Sequence, residues 1–180
     1  NSRRAAAVVW LPEDAVRQSN DIPCTFGLFF HIRDGGLIMT TVMRSNNAVV
    51  LLPYNFFEFS MVGELVAAEL DVPFARYVHW AASMHTVNRF NGARDDILSA
   101  GSAEAFTMPV MPRGEAFESA YALARYETEL RHASTADELK DTAARARAKL
   151  DEYWLALFNV LYVYGLAKRQ FRELAKEEFA

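Results

Sequence analysis

The sequence predicts an α+β fold: a mixed, mostly antiparallel sheet with flanking helices, followed by an all-helical C-terminal region. Three observations carry that prediction. Residues 24–33 and 36–45 are runs rich in Phe, Ile, Val and Thr, joined by Asp34-Gly35, a dipeptide that tolerates the positive φ angles of a tight hairpin turn. Phe56, Phe59, Val62, Gly63, Val66 and Ala67 recur at helical spacing. From Glu115 onward Ala, Glu, Arg, Lys and Leu dominate, Gly165 is the only glycine and proline is absent. The expected organisation is a sheet-bearing core over residues 1–112 and a helical region over 113–180.

The elements follow in order. Residues 5–10 read as a short strand closed by Pro12, and 13–21 as a polar loop. The hairpin comes next. Pro53 can sit in the first turn of a helix because no N–H is needed there, so a helix of about four or five turns begins near it and ends before Pro73. Residues 77–87 return to strand-like composition and contain His79 and His85. Gly92, Gly101, Pro109, Pro112 and Gly114 mark a long irregular connection. Two or three helices complete the chain. Thr135-Ala136-Asp137-Glu138 is a capping-box pattern that starts one of them at Thr135. The Ala/Arg/Lys-rich stretch 143–149 reads as a solvated helix face. Residues 153–167, the most apolar segment, are too short to cross a bilayer, which takes about 20 residues, and read as a buried or partner-facing helix.

Composition narrows the function classes. The chain has 180 residues, 52% of them hydrophobic, which is enough for one sizeable core. With 19 basic residues against 23 acidic, the net charge of −4 argues against a protein that coats nucleic acid but leaves room for a local anion pocket. One cysteine permits neither an internal disulfide nor a Cys-rich metal site, so the expected compartment is the cytoplasm and no metal is expected. No secretory signal is visible, and the abrupt start at Asn1, without Met, suggests a chain that begins inside a larger unit.

Several residues offer chemistry. Cys24 opens the first hairpin strand directly after Pro23, and the partner strand ends in Arg44-Ser45, so a guanidinium can stand near the thiol and favour the nucleophilic thiolate. The bland alternative is a small buried hydrophobe. Arg44-Ser45 and Arg3-Arg4 suit phosphate capture, since the guanidinium fork makes two charge-assisted bonds and a hydroxyl adds a directional one. Either pair is equally readable as surface arginine. Asn55, polar among Leu51, Leu52, Phe56 and Phe57, presents a donor and an acceptor side by side, matching the edge of a pyrimidine; it can also satisfy local backbone groups in the first helical turn.

In their order and spacing, Ser2-Arg3-Arg4, Pro23-Cys24, Arg33-Asp34-Gly35, Met43-Arg44-Ser45, Leu52-Pro53-Tyr54-Asn55 and Met84-His85 resemble the C-terminal part of thymidylate synthase and the pyrimidine nucleotide hydroxymethylases. The resemblance spans residues 2–87, about half of the chain. It implies a thymidylate synthase-like fold that forms homodimers back to back through the sheets, with Phe26, Leu28 and Phe30 expected to supply the apolar face. It also implies a pyrimidine nucleoside monophosphate as substrate, its phosphate held by Arg44, Ser45 and the partner subunit's Arg3 and Arg4. Cys24 would add to C6 of the base, Asn55 would read the base edge with uracil preferred, and His85 would touch the sugar hydroxyl. The one-carbon donor would be 5,10-methylenetetrahydrofolate, giving a C5 methyl or hydroxymethyl product, with Asn47 at the folate.

Departures from the family pattern keep rivals open. Asn47 replaces an Asp at the folate, Leu51 a Gly before Leu-Pro, and Val87 a Tyr at the sugar site. The helical residues 115–180 stand where a folate-closing tail is found. The family's proton-transfer glutamate and a further phosphate arginine precede the matched part, and neither Glu58 nor Glu64 is promoted to that role. The rivals are a cytidylate hydroxymethylase and a non-catalytic nucleotide-binding or dimerisation relative. A third has residues 153–167 as a partner-binding helix that the rest merely supports.

Overall fold

The computed structural model describes residues 3–102, 108–171 and 175–176, and the chain divides into two compact units, Asn1–Thr107 and Met108–Ala180. Ser2, part of the motif at the start of the chain, lies outside the described residues.

The first unit is built on a four-stranded sheet. Strand β1 (Ala6–Val8) pairs antiparallel with β2 (Thr25–Arg33), which pairs antiparallel with β3 (Gly36–Met43). The β2–β3 turn is tight because Asp34 and Gly35 adopt φ of 50° and 80°, the left-handed values a two-residue hairpin of this hand requires. A short strand, β4 (Asn46–Asn47), precedes helix α1 (Leu51–Glu69), which crosses over to β5 (Phe74–Ala81) running parallel to β3. Pro73 directly precedes β5.

Helix α1 lies against one sheet face, burying Phe59, Gly63, Ala67 and Ala68. Gly63 marks the closest approach: a Cβ there would stand 2.5 Å from Phe74 Cζ and 3.0 Å from Met39 Sδ. Met39, Met43 and Phe59 centre this core, with Cys24, Leu28, Phe30, Phe74 and Tyr77 against them.

That packing corrects the expected dimer face. Leu28 and Phe30 belong to the core with α1, while Phe26, beside a register shift between Thr25 and Gly27, stacks on Trp10 at 5.0 Å. The opposite sheet face is the one left apolar and open: Val8, Phe29, Val78 and Trp80 are exposed, and the register places them in adjacent rows. One-step alternation decides which set is covered.

Residues 77–87 are not one strand either. Strand β5 stops at Ala81, and β6 (Met84–His85) pairs parallel with β4 in a second, two-stranded sheet. The expected irregular connection contains helix α2 (Asn91–Ser99), entered through a 3-10 turn at Asn88–Phe90. None of the residues of α2 is buried, so it left no apolar periodicity to read, and Gly92 concealed it further.

Among its described residues the second unit is built on the helices α3 (Ala116–His132), α4 (Ala136–Arg147) and α5 (Glu152–Lys168). Thr135 caps α4, its hydroxyl accepting from Glu138 N at 3.2 Å while Glu138 Oε2 accepts from Thr135 N at 3.2 Å. Tyr126 meets Phe158 edge-on and Phe158 stacks on Tyr162, forming an aromatic spine closed by Leu130, Leu139 and Leu166. Ala143 and Ala146 are fully buried in it, which corrects the reading of 143–149 as a solvated face. With Leu139 they fall at i, i+4 and i+7, a stripe narrow enough for close helix contact. Helix α5 turns Tyr153, Trp154, Phe158, Tyr162 and Leu166 inward and leaves Val160 and Tyr164 exposed. Among the described residues no helix is long and apolar enough to cross a membrane.

Candidate active site

The first unit gathers its polar side chains where β2 begins and the parallel strands β3 and β5 end. Cys24 is half-buried just before β2, and its carbonyl accepts from Arg44 N at 2.8 Å, one step beyond the last β3 residue. The Arg44 side chain turns back over the same segment. Its Nε donates to Pro23 O and its Nη2 to Ile22 O, both at 3.0 Å. The guanidinium is thereby tied to the two residues that lead into the thiol, and Nη1 has no partner among the described residues. A guanidinium carries five N–H donors, so this one retains capacity for an anion.

Ser45 and His85 come together through the small second sheet. Asn47 pairs with His85, Asn46 N donates to Ser83 O at 2.9 Å, and Ser45 Oγ lies 3.4 Å from His85 Nδ1. Arg44, Ser45 and His85 therefore share one sheet end with Cys24; hairpin pairing suggested this for Arg44-Ser45 alone.

Asn55 lies in the second turn of α1 rather than the first, because the helix opens two residues before Pro53. Its Nδ2 donates to Glu58 Oε2 at 3.4 Å, and its Oδ1 is buried without a partner. A buried acceptor left unpaired is costly, and a ligand N–H would satisfy it.

Asn47 is buried and already employed. Its Oδ1 accepts from Val49 N and Val50 N, both at 3.0 Å, closing the turn into α1. Only the amide N–H side of Asn47 remains for a folate, so the residue fits such a ligand as a donor and not as an acceptor.

Arg3 and Arg4 are exposed and sit at the far end of the sheet. Phe30 N donates to Ala5 O, so Arg4 lies roughly 20 Å along the strand from Cys24 at about 3.3 Å per residue. A single chain does not bring these arginines to Arg44.

Sequence reasoning passed over three residues here. Asn46, Tyr77 and His79 form a hydrogen-bonded group on the α1 side of the sheet, Asn46 Nδ2 meeting His79 Nε2 at 2.9 Å and His79 Nδ1 meeting Tyr77 Oη at 2.8 Å. Their signal was alternation: Tyr77 and His79 are two apart in a strand and so share a face.

A family model described as thymidylate synthase matches residues 1–121. A Methanocaldococcus jannaschii protein named "Putative thymidylate synthase" is 37% identical over 89 residues, 47% of this chain and 40% of that protein. Thymidylate synthase of Listeria monocytogenes is 28% identical over 89 residues, 49% of this chain and 28% of its own. The thermostable thymidylate synthase A from Bacillus subtilis superposes with a TM-score of 0.50 at 21% identity, covering 59% of this chain and 37% of that one. The chain thus matches less than half the length of these curated relatives. The matched residues include the hairpin, the Pro23-Cys24 junction, Arg44-Ser45 and the helix bearing Asn55, and with this match the chain belongs to the thymidylate synthase family.

Proposed function

We propose that the chain transfers a one-carbon unit, methyl or hydroxymethyl, from 5,10-methylenetetrahydrofolate to C5 of a pyrimidine nucleoside monophosphate, with uracil preferred. The observation that carries this reading is the Arg44 fork on the carbonyls of Ile22 and Pro23. The anion-binding group and the thiol-bearing segment are one mechanical unit, so a bound phosphate and the nucleophile are set in register.

Cys24 is the nucleophile. C5 of a pyrimidine is a poor nucleophile by itself; when the Cys24 thiolate bonds to C6, the C5–C6 π electrons move onto C5 and O4, and C5 becomes enolate-like. The folate supplies the one-carbon electrophile. Once C5 had bonded to that carbon and lost its proton, the carbon's bond to the folate nitrogen would break, a hydride from the folate (methyl product) or a water (hydroxymethyl product) would add to the carbon, and the C6–S bond would break to return the Cys24 thiolate. Arg44 and Ser45 hold the phosphate, His85 the sugar hydroxyl, and Asn55 offers Oδ1 to N3–H and its amide N–H to O4. Asn47 donates to the folate. Because Arg3 and Arg4 are far from Cys24 in their own chain, they reach the phosphate from a second copy docked through the open face of Val8, Phe29, Val78 and Trp80. The cytosol is the expected site of this reaction.

Incubation with 5-fluoro-dUMP and methylenetetrahydrofolate, followed by peptide mass spectrometry, should show an adduct on Cys24. Cys24→Ser should form none and turn over more than about a hundredfold slower, while still binding dUMP. Binding of dUMP without an adduct would leave a non-catalytic nucleotide-binding relative. A higher kcat/KM for dCMP or CMP than for dUMP or UMP would refute the role of Asn55 and favour a cytidylate hydroxymethylase.

A further inference from the structure

The Asn46–His79–Tyr77 group joins parts of the first unit that the proposed reaction needs together. Asn46 is 1% exposed, and its Nδ2 faces both Met43 Sδ at 3.4 Å and His79 Nε2 at 2.9 Å. A thioether can only accept, which fixes the NH2 side of the amide toward these two atoms. His79 Nε2 is then an acceptor without a proton, and the ring N–H is on Nδ1, donated to Tyr77 Oη at 2.8 Å. Phe56 stacks on the imidazole at 5.2 Å and meets the Tyr77 ring edge-on at 5.3 Å.

The chain positions of these groups give the network its meaning. Asn46 lies between Ser45 and Asn47, that is, between the phosphate pair and the side chain that closes the turn into α1. Phe56 follows Asn55 directly. A neutral imidazole thus links the segment that meets the phosphate to the helical turn that meets the base.

We propose that His79, acting through Asn46 and Phe56, is a positioning residue that holds the phosphate segment 44–47 and the Asn55 turn in the relative geometry one nucleotide requires. The proposal rests on the reading of Arg44-Ser45 as the phosphate site. Protonation of His79 would place an N–H against the Asn46 NH2, two donors face to face, and the amide would have to turn away from Met43. Burial pushes the His79 pKa below its ordinary value, which keeps the ring neutral further into acid. The ionisable group bonded to it is Tyr77 on its own strand; burial, opposed by the Thr41 side chain and helped by the charge of Glu58 on α1, raises the Tyr77 pKa and keeps that hydroxyl protonated. Strands β3 and β4 present Met43 and Asn46, which do not titrate.

The test uses the full chain with dUMP and deoxyuridine as probes. Ring 15N NMR of the ligand-free protein near neutral pH should show His79 as the Nδ1–H tautomer; the Nε2–H tautomer would overturn the proposal. His79→Phe keeps the stack on Phe56 and removes both hydrogen bonds. It should weaken dUMP binding about tenfold, with a smaller loss for deoxyuridine. His79→Gln, which can accept from Asn46, should recover part of that loss. As the pH falls, wild-type dUMP affinity should drop relative to His79→Gln, which has no ring to protonate. If His79→Phe does not fold, Tyr77→Phe replaces it and should weaken dUMP binding by a smaller factor. Unchanged dUMP affinity in all folded variants overturns the positioning role alone. Failure of the wild type to bind dUMP overturns the phosphate reading, and the proposal with it.

Discussion

Two arginines, one in each unit, use their guanidinium groups in the same way to different extents. Arg169, just past the end of α5, donates from Nε to Ala133 O, from Nη1 to Gly165 O, and from Nη2 to both Leu130 O and Arg131 O, at 2.7 to 3.1 Å. Its capacity goes almost entirely into carbonyls at the C-terminal ends of α3 and α5, where helices leave them without helical partners. Arg44 makes two such bonds, to the two residues that precede Cys24, and leaves Nη1 without a partner among the described residues. The helical unit completes itself with its arginine. The sheet unit leaves its arginine incomplete, and the proposed phosphate is what would complete it.

The largest expected effect comes from breaking the completed member. Arg169→Ala should lower the unfolding free energy by about 3 kcal/mol, because hydrogen bonds to a charged donor are worth roughly 1.5–3 kcal/mol and several carbonyls lose their partner together. Arg169→Lys should recover little, since one ammonium cannot span carbonyls that lie on three sides of a planar fork. Denaturant unfolding followed by circular dichroism measures both. A loss below about 0.5 kcal/mol, the range of ordinary surface substitutions, would show that water replaces Arg169 freely.

Arg44→Ala sharpens the contrast at smaller scale. Affinity for dUMP should fall at least about tenfold, close to 1.5 kcal/mol for a bond to a charged group, with deoxyuridine affinity nearly unchanged. Isothermal titration with both ligands separates the outcomes. Equal losses for nucleotide and nucleoside, accompanied by a stability loss like that of Arg169→Ala, would make Arg44 a second structural arginine and erase the distinction.

Legibility in the sequence follows the same divide. Where local chemistry dictates the backbone, reading succeeds: Asp34-Gly35 takes positive φ, and Thr135 with Glu138 closes its reciprocal cap. The Cys24, Arg44 and Ser45 grouping was readable because hairpin pairing brings the start of one strand beside the end of the other, whereas His85 was tied to them only by the family resemblance. What failed depended on partners remote in sequence. Leu28 and Phe30 offered an apolar face, but only the position of α1 decides that this face is covered. Ala143 and Ala146 read as part of a solvated face because alanine is apolar yet too small to announce a core, although in a close helix crossing its size is the reason it is there. His79 was read with a strand running through to Val87; its partner Asn46 is 33 residues away, and no spacing rule connects them.

The smallest effect tests whether the helical unit's caps are as self-sufficient as its arginine. Glu138 Oε2 accepts from Ser134 N at 2.6 Å and Thr135 N at 3.2 Å, and these backbone donors hold its carboxyl below the ordinary value of 4.5. A carboxylate whose pKa is lower folded than unfolded stabilises fully above the unfolded value, and that contribution disappears as the pH falls through the folded one. Glu138→Gln keeps an oxygen acceptor for both N–H groups but cannot titrate. The wild type should therefore be slightly the more stable at neutral pH, and its advantage should shrink as the pH drops below about 4.5, the ordinary carboxyl value. Thermal unfolding of the two proteins from neutral to acid pH reads that difference directly. A difference independent of pH would mean that the charge on Glu138 contributes nothing to the cap, leaving the geometry of its oxygen as the whole of its role.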